Sequence, residues 1–299
     1  MISFAGRLMN WVFSMMPGDE PGKPHDYAAE RRANESRKPP KKPKDVVIDE
    51  TEINGMPAER LTKTGNSKGW VFYIHGGGFT TGSAKERRSL TQYLTDKCGY
   101  NCFAINYRLS PENQWPVQVE DCIEAYRQYL DLGYKPEDTI LMGESAGGTL
   151  VFSLSLKLKE LGLPQPKAIV AFSPATDNYT DLPSHTANIR TDTMLRDTVA
   201  KGLAEPLFGG HVDPEVLKDP ILSPINGDFT GLPPVFLSAS DTEVLYDDSV
   251  IMYEKLKREG HRVELDIQHG VCHAFQMMPF MPEARTSIRK MDKFLDNIV

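Results

Sequence analysis

Strand-like and helix-like segments alternate along most of this 299-residue chain, and this alternation constrains the fold more than any other feature. Runs of β-branched and aromatic residues predict strands at 46–53, 58–63, 69–74, 102–107, 139–142, 168–173, 235–239 and 262–267. Helical periodicity appears at 84–97, 117–131, 146–161, 247–259 and 283–298. Such alternation predicts an α/β fold, a mostly parallel eight-stranded sheet with helices on both faces. The first two or three strands have no helices between them, so we expect an antiparallel edge there.

The composition excludes several classes of protein. Hydrophobic residues make up 40% and charged residues 25%, which is typical of a globular core. The net charge of −7 argues against a nucleic-acid-binding surface. The four cysteines form no CxxC pair and have no zinc-like histidine spacing, so we expect free thiols, no metal and a cytoplasmic location. The sequence leaves a disulfide between Cys98 and Cys102 open.

Two stretches depart from the alternation. Apolar residues recur at three- and four-residue spacing over the first sixteen positions, which predicts an amphipathic helix. This helix would dock on the protein's own surface or, alternatively, contact a membrane or partner; no apolar run approaches the roughly 20 residues that span a bilayer. The proline-rich stretch at 17–45 predicts an extended connector. Residues 176–230 hold five prolines and only short helical stretches, which indicates a lid.

The strongest chemical signal is the pentapeptide GESAG at 143–147, placed directly between a strand and a helix. In this context GxSxG predicts a sharp turn that strains the backbone of Ser145 and lifts its hydroxyl clear of the sheet, at the positive end of a helix. Both flanking glycines are needed because side chains there would collide. The alternative is a glycine-rich turn with an incidental serine.

A second glycine-rich motif, HGGGF at 75–79, follows another predicted strand. Glycines allow the backbone to turn its N–H groups towards a ligand, where they could stabilise the oxyanion of a tetrahedral intermediate. The candidate donors are the N–H groups of Gly77, Gly78 and Ala146. The alternatives are a plain turn or a phosphate-binding loop, and the absence of GxGxxG and GK[ST] argues against phosphate.

A serine nucleophile needs a base, and His273 in GVCHAF at 270–275 lies just before the final helix. This position suits the chain order of serine, acid and histidine. His269 is the competing candidate, although its place at the end of a strand is typical of a solvated surface histidine.

Five blocks together resemble the hormone-sensitive-lipase-like branch of the α/β-hydrolases, the bacterial acetyl esterases and carboxylesterases. They are HGGGF at 75–79, NYRLSPE at 106–112, WPVQVEDC at 115–122, GESAGG at 143–148 and GVCHAF at 270–275. The resemblance covers roughly residues 45–299 and implies the α/β-hydrolase fold with a helical cap. The implied division is an N-terminal cap segment and linker at 1–45, a catalytic domain at 46–175 and 231–299, and a cap insertion at 176–230.

The resemblance also assigns roles to several polar residues. It implies that Arg108, Pro111, Glu112 and Asp121 brace the loop behind the active site. Glu144, next to the serine, is expected to form local hydrogen bonds and receives no catalytic role.

The chain departs from the resembled family at the carboxylate that would pair with the catalytic histidine. That family usually has an aspartate about thirty residues before the histidine. Aligning VLYDD at 244–248 with that family's pattern puts Glu243 at the acid position, and Glu243 also lies 30 residues before His273. Asp241 is the alternative acid. Either carboxylate could hold the imidazole, and the other would cap the loop.

These features predict a serine carboxylesterase that cleaves short-chain acyl esters, acetyl to about hexanoyl, through an acyl-enzyme without cofactor or metal. Ser145, His273 and Glu243 are the predicted triad. The partner is a small-molecule ester, with no nucleic acid and no stable membrane insertion, and a homodimer is compatible with the sequence. The alternatives are an amidase or formamidase on the same triad, a non-catalytic binding protein similar to the plant gibberellin receptors, and a lipase acting at lipid surfaces.

Overall fold

The computed structural model describes residues 2–16, 25–179, 182–195 and 204–298. A central eight-stranded sheet has the strand order β1-β2-β4-β3-β5-β6-β7-β8. The strands are β1 (Val46–Ile53), β2 (Met56–Lys63), β3 (Trp70–Ile74), β4 (Asn101–Ile105), β5 (Thr139–Glu144), β6 (Ala168–Phe172), β7 (Val235–Ser240) and β8 (Val263–Gln268). The predicted α/β-hydrolase architecture is confirmed, and each predicted strand forms with its ends shifted by no more than two residues.

Helices cover both faces of this sheet. The described helices are α1 (Phe4–Ser14), α2 (Tyr27–Glu35), α3 (Arg88–Tyr93), α4 (Val117–Asp131), α5 (Ala146–Glu160), α6 (Pro183–Ala187), α7 (Ala204–Phe208), α8 (Pro214–Leu217), α9 (Tyr246–Arg258) and α10 (Pro282–Asp296). A 3₁₀ turn at Lys85–Arg87 precedes α3, and a π-helical turn at Leu94–Cys98 follows it. The five predicted helices are all present.

The antiparallel edge consists of two strands. β2 runs antiparallel to both β1 and β4. β3, the third strand in sequence, instead lies between β4 and β5 and is parallel to both. Its residues Val71 to Ile74 are fully buried, which is the pattern of a central strand with both faces covered.

Alternate side chains of the central strands enter two separate cores. Phe72 of β3 faces α4, where its ring lies edge-on to Tyr126 and Tyr129 at centroid distances of 5.6 and 5.1 Å. Tyr73, the next residue, enters the opposite core, which also contains Met291 and Phe294 of α10. Both sides of β3 are therefore anchored, and the loop that follows it starts from a rigid strand.

The N-terminal helix α1 docks on the protein's own surface. Ser3 donates two hydrogen bonds to Glu283 of α10, from its N–H at 2.6 Å and its hydroxyl at 2.9 Å, and Asn10 donates to the Gly270 carbonyl at 2.7 Å. Its opposite face leaves Phe4 and Trp11 exposed. Among the described helices, none is long and apolar enough to cross a membrane.

The prediction of an extended connector up to residue 45 is wrong in part, because α2 forms within it. Asp26 caps this helix by accepting the Ala29 N–H at 2.8 Å, and the segment YAAERRANE is rich in helix-forming residues. The prolines of the stretch 17–24 lie outside the described residues. The same holds for residues 180–181 and 196–203 of the predicted insertion.

All four cysteines are free thiols, so Cys98 and Cys102 form no disulfide. Burial raises the pKa of each of these two thiols to about 12. Both therefore stay protonated, and unreactive as nucleophiles, at neutral pH.

The contact between Ser3 and Glu283 generates a prediction about α1. Glu283→Ala removes the acceptor of both Ser3 hydrogen bonds, so we expect the docked helix to lose about 1 to 2 kcal/mol of stability. The measurement is the rate of proteolytic cleavage near the N-terminus under native conditions. Glu254→Ala, at an exposed position on α9, is the matched control. Equal cleavage rates for the two variants would contradict the assigned anchoring.

Candidate active site

The turn between β5 and α5 holds Ser145 in a strained backbone conformation, with φ 55° and ψ −125°. Positive φ is costly for a residue with a side chain, so the surrounding structure must maintain it. The Ser145 N–H donates to the Phe172 carbonyl at the end of β6 at 2.9 Å. The Ser145 carbonyl accepts the Thr149 N–H of α5 at 3.1 Å. The bend is thus tied to the neighbouring strand and to the helix that follows it.

Two glycines make the bend sterically feasible. A Cβ atom on Gly143 would lie 2.4 Å from the Gly147 carbonyl oxygen, and one on Gly147 would lie 2.1 Å from the Ile74 carbonyl oxygen of β3. Both distances are far below van der Waals contact. The collisions are with backbone carbonyls, so no change of side-chain rotamer could relieve them.

The HGGG loop lies directly against this turn. A Cβ atom on Gly76 would lie 2.9 Å from the Cβ of Ser145. Gly77 and Gly78 adopt φ values of 114° and 59°, and the Gly77 carbonyl accepts the N–H groups of Thr80 and Thr81 at 3.0 and 2.9 Å. The loop is therefore a closed turn with a fixed shape.

Three N–H groups of this region have no acceptor within the described part of the chain. They belong to Gly77, Gly78 and Ala146, the candidate oxyanion donors. Backbone N–H groups without an internal partner are available for an anionic ligand, and the one on Ala146 is at the N-terminus of α5.

Glu144 links the HGGG loop to the turn, a function that the sequence analysis missed. Its carboxylate is completely buried and accepts hydrogen bonds from the Gly76 N–H at 2.7 Å, the Arg87 guanidinium at 2.5 Å and the Tyr73 hydroxyl at 2.5 Å. An available signal was a charged residue at the end of a buried strand, which requires a partner. The partner, Arg87, is 57 residues away in sequence and could not be identified from a motif.

His75 contributes to the same loop as a neutral ring. Its Nδ1 bonds to the Gly76 carbonyl at 2.8 Å, and the ring stacks on Tyr107 at a centroid distance of 4.4 Å. Burial, with the nearby Arg87 cation, lowers the pKa of His75 to about 4. The imidazole is therefore uncharged at neutral pH.

His273 is buried and paired with Glu243. Its Nδ1 lies 2.5 Å from Oε2 of Glu243, and the two side chains are 4% and 0% exposed. The other carboxylate oxygen of Glu243 accepts the Ser240 N–H at 2.7 Å and the Ser173 hydroxyl at 2.8 Å. With Nδ1 donating to the carboxylate, Nε2 of a neutral imidazole is an acceptor, and no described residue is its partner.

The charge of His273 is set by opposing effects. Burial lowers its pKa, while the negative charges of Glu243, Asp192 and Glu144 raise it, and the net result is a pKa above the ordinary value. The Glu243 carboxylate is the strongest of these charges, so the pair favours the imidazolium more than an isolated histidine would.

The competing candidates pair with each other. Asp241 accepts from His269 at 2.6 Å and from the Gly270 N–H at 2.9 Å. The His269 side chain is 76% exposed. Asp241, in the turn directly after β7, therefore binds the turn that follows β8, and Glu243 is the carboxylate that contacts His273.

Ser173 connects the serine turn with the histidine loop, and the sequence analysis missed it. It follows Phe172, whose carbonyl binds the Ser145 N–H, and its hydroxyl accepts the Ala274 N–H at 3.1 Å. Its φ of 47° turns the chain sharply away from β6. Ser145 and His273 are thus held at the same end of β6 by adjacent residues.

The loop behind the site is braced by ion pairs. Arg108 binds Asp121 through its N–H at 2.8 Å and its guanidinium at 2.6 Å. Glu112 pairs with Arg31 of α2, which also donates to the Thr80 carbonyl at 3.1 Å. Pro111 follows a cis peptide bond within this loop.

Residues suited to bind a metal do not cluster in the described ranges, where no group of three or more His, Cys, Asp or Glu side chains converges. The functional groups that the strand ends carry here are a hydroxyl, an imidazole, a carboxylate and backbone N–H groups. That set suits acyl transfer.

Comparison with known proteins agrees with this architecture. The family model described as the α/β hydrolase fold matches residues 71–277. An acetyl-hydrolase of Streptomyces hygroscopicus is 33% identical over 226 residues, 75% of this chain and 74% of that protein. Esterase LipU of Mycobacterium tuberculosis is 32% identical over 230 residues, covering 75% and 76% of the two chains.

A solved esterase structure has the same fold along the length of this chain. The crystal structure of an esterase from the bacterial hormone-sensitive lipase family superposes with a TM-score of 0.87 at 28% identity, covering 100% of this chain and 99% of that one. The chain thus belongs to the hormone-sensitive-lipase-like branch of the α/β-hydrolase family and is a carboxylic ester hydrolase.

Proposed function

We propose that the protein is a serine carboxylesterase in which Ser145 is the nucleophile, His273 the general base and Glu243 the acid. The observation that carries the proposal is the buried contact between Nδ1 of His273 and Glu243 at 2.5 Å, which leaves Nε2 as an acceptor. The strained backbone of Ser145 also supports the proposal, because strain of this kind is concentrated at functional sites.

The reaction follows from these positions. Nε2 of His273 takes the proton of the Ser145 hydroxyl as Oγ attacks the ester carbonyl carbon, and the carbonyl oxygen becomes an oxyanion. The N–H groups of Gly77, Gly78 and Ala146 receive that charge. The imidazolium then protonates the leaving alcohol, the tetrahedral intermediate collapses to the acyl-enzyme, and a water activated by His273 releases the acid.

Glu243 has two roles in this mechanism. It holds the proton on Nδ1, so that Nε2 is left as the acceptor for the proton of the hydroxyl, and it stabilises the imidazolium that forms. Because Ser240 and Ser173 occupy its other oxygen, the carboxylate cannot rotate without losing both hydrogen bonds.

The substrate class we propose is a short-chain acyl ester, acetyl to about hexanoyl. The printed name of the S. hygroscopicus relative, an acetyl-hydrolase, supports the short end of this range. We further propose that a cap limits access. It consists of residues 1–45 and 176–230 and covers a catalytic domain of residues 46–175 and 231–299. Two contacts support this division: Arg31 of α2 binds the Thr80 carbonyl directly after the HGGG loop, and the Trp115 N–H donates to the Leu207 carbonyl of α7 at 2.9 Å.

Ser145→Ala should lower kcat for p-nitrophenyl acetate by about 10⁴-fold or more, because it removes the atom that attacks the ester. The matched control is Ser155→Ala on the same helix, where the hydroxyl donates to Gln165 at 2.8 Å. Urea unfolding of both variants checks the fold. Near wild-type hydrolysis by Ser145→Ala would refute the serine mechanism.

The acid assignment is tested by comparing Glu243→Gln with Asp241→Asn. We expect a kcat loss of about 10³- to 10⁴-fold at position 243 and within about threefold at position 241, because only Glu243 contacts His273. The reverse order would transfer the role to Asp241.

The pH profile gives a second readout of the same pair. Since His273 has a raised pKa and must be neutral to act as base, kcat/KM should fall as the pH drops through a value above about 6.5. Glu243→Gln removes the charge that raises this pKa, so its acidic limb should move to lower pH. An unmoved limb would show that another group controls the profile.

The acyl range is tested with p-nitrophenyl esters from acetate to palmitate and with the matching anilide. We expect kcat/KM to be highest between acetate and hexanoate and to decline for longer chains, with the anilide cleaved far more slowly. A maximum at palmitate would indicate a lipase, and preferred anilide cleavage an amidase.

A further inference from the structure

A short segment of the predicted cap insertion lies directly on the loop that carries Glu243. Asn188, just after α6, donates from Nδ2 to the Asp241 carbonyl at 3.1 Å and to the Glu243 carbonyl at 2.9 Å. Four residues later, Asp192 accepts the Val244 N–H at 2.9 Å. The Glu243 carbonyl and the Val244 N–H are the two polar ends of one peptide group. The insertion therefore holds that peptide from both ends.

The carboxylate of Asp192 is buried, since the residue is only 3% exposed. Its second oxygen accepts the N–H groups of Met194 and Leu195 at 2.8 and 2.9 Å. A carboxylate is expensive to bury, and an uncharged residue would fill this position at lower cost unless the acceptor groups were needed. By binding one N–H group of the loop that carries Glu243 (the acid loop) and two N–H groups of the insertion, this carboxylate joins the two segments.

The orientation of the peptide group between Glu243 and Val244 determines the direction in which the Glu243 side chain leaves the backbone. One oxygen of Glu243 is already committed to Ser240 and Ser173, so only the other can reach Nδ1 of His273. A rotation of the peptide at 243–244 would move the carboxylate relative to all three partners. Displacements of about 1 Å in such an array can cost about 100-fold in rate.

We propose that Asp192, together with Asn188, is a positioning residue of the esterase reaction, which fixes the peptide between Glu243 and Val244 so that Glu243 meets His273. The inference rests on the proposed role of Glu243 as the acid. It makes this part of the insertion a support of the catalytic machinery in addition to any part it has in covering the site.

Asp192 also acts on His273 through its charge. Glu243 from the acid loop, Asp192 from the insertion and Glu144 from the serine turn each raise the pKa of His273, against the lowering effect of burial. Removing the Asp192 charge should therefore lower the pKa of His273, and loosening the Glu243 contact should change that pKa in the same direction.

Asp192→Asn is the informative variant, because it keeps the size of the side chain but lets an amide face the Val244 N–H. We expect kcat for p-nitrophenyl acetate to fall about 10- to 100-fold. KM should stay within about threefold, because Asp192 acts through the acid loop. The acidic limb of kcat/KM should move to lower pH. Asn188→Ala should act in the same direction and to a smaller extent.

Asp247→Asn is the matched control. Asp247 is also an aspartate joined to the insertion, through the Ser184 N–H at 2.8 Å, but it does not touch the 243–244 peptide. We expect its kcat and pH profile to resemble those of the wild type. Equal effects of Asp192→Asn and Asp247→Asn would overturn the proposal and indicate general anchoring of the insertion.

A double-mutant cycle tests whether Asp192 acts through Glu243. In the Glu243→Gln background, Asp192→Asn should lower kcat by less than about threefold further, because the interaction it supports is already lost. Full additivity would overturn the proposal.

The two proposals fail separately. Activity retained by Ser145→Ala would refute the serine mechanism itself, whereas an inactive Ser145→Ala with an unaffected Asp192→Asn would refute only the positioning role.

Near-UV circular dichroism and urea unfolding establish that each variant is folded. If Asp192→Asn does not fold, the kcat of Asn188→Ala tests the positioning role instead. This substitution removes the donor to two carbonyls at a half-buried position, so it should disturb the fold less. Loss of the folded state in both variants would assign the pair to stability and overturn the positioning role.

Discussion

The backbone at the end of β5 passes so close to β3 that no side chain fits between them, and the candidate site depends on this close approach. Gly147 lies against the carbonyl oxygen of Ile74, and Gly143 lies against the carbonyl oxygen of Gly147. The contact forces the intervening Ser145 into positive φ and brings the HGGG loop, which continues from Ile74, next to the serine. Since β3 is anchored by side chains in two cores, this constraint is imposed by the whole sheet.

Two buried carboxylates flank the serine turn and stabilise different parts of the site. Glu144 holds the HGGG loop through the Gly76 N–H and is neutralised by Arg87. Glu243 holds His273 and accepts two further hydrogen bonds from Ser240 and Ser173. A buried carboxylate persists when its oxygens are fully hydrogen-bonded, and breaking one such contact leaves an uncompensated charge. The two clusters are therefore rigid, as a preorganised site requires.

Two segments of the proposed cap bind loops of the candidate site. Arg31 of α2 binds the carbonyls of Thr80, directly after the HGGG loop, and of Ser110. Asn188 and Asp192 bind the acid loop. On our proposal, these polar contacts give the cap segments a role in shaping the site in addition to limiting access to it. A movement of either segment would change the shape of a loop that carries a candidate catalytic group.

The sequence predicted much of this protein because local patterns carry the information. Strand and helix periodicity located the sheet and its covering helices, and the glycine motifs placed Ser145 and the HGGG loop at strand ends. The helix α2 was missed because the prolines around it dominated the interpretation, although Asp26 and the following alanines are helix signals. Counting residues favoured Glu243 over Asp241, but spacing alone could not show which carboxylate faces which histidine.

By itself the sequence determined the order of the elements and the residue types available for chemistry, since both depend on neighbours along the chain. The tertiary structure decided the pairings: β3 between β4 and β5, Glu144 with Arg87, Ser173 between Glu243 and Ala274, and Asp192 on the acid loop. These contacts join residues separated by 52 to 101 positions, apart from the strand neighbours. Such partners come together only when the sheet is assembled, because hydrogen bonding and the cost of burying charge act on distance in space.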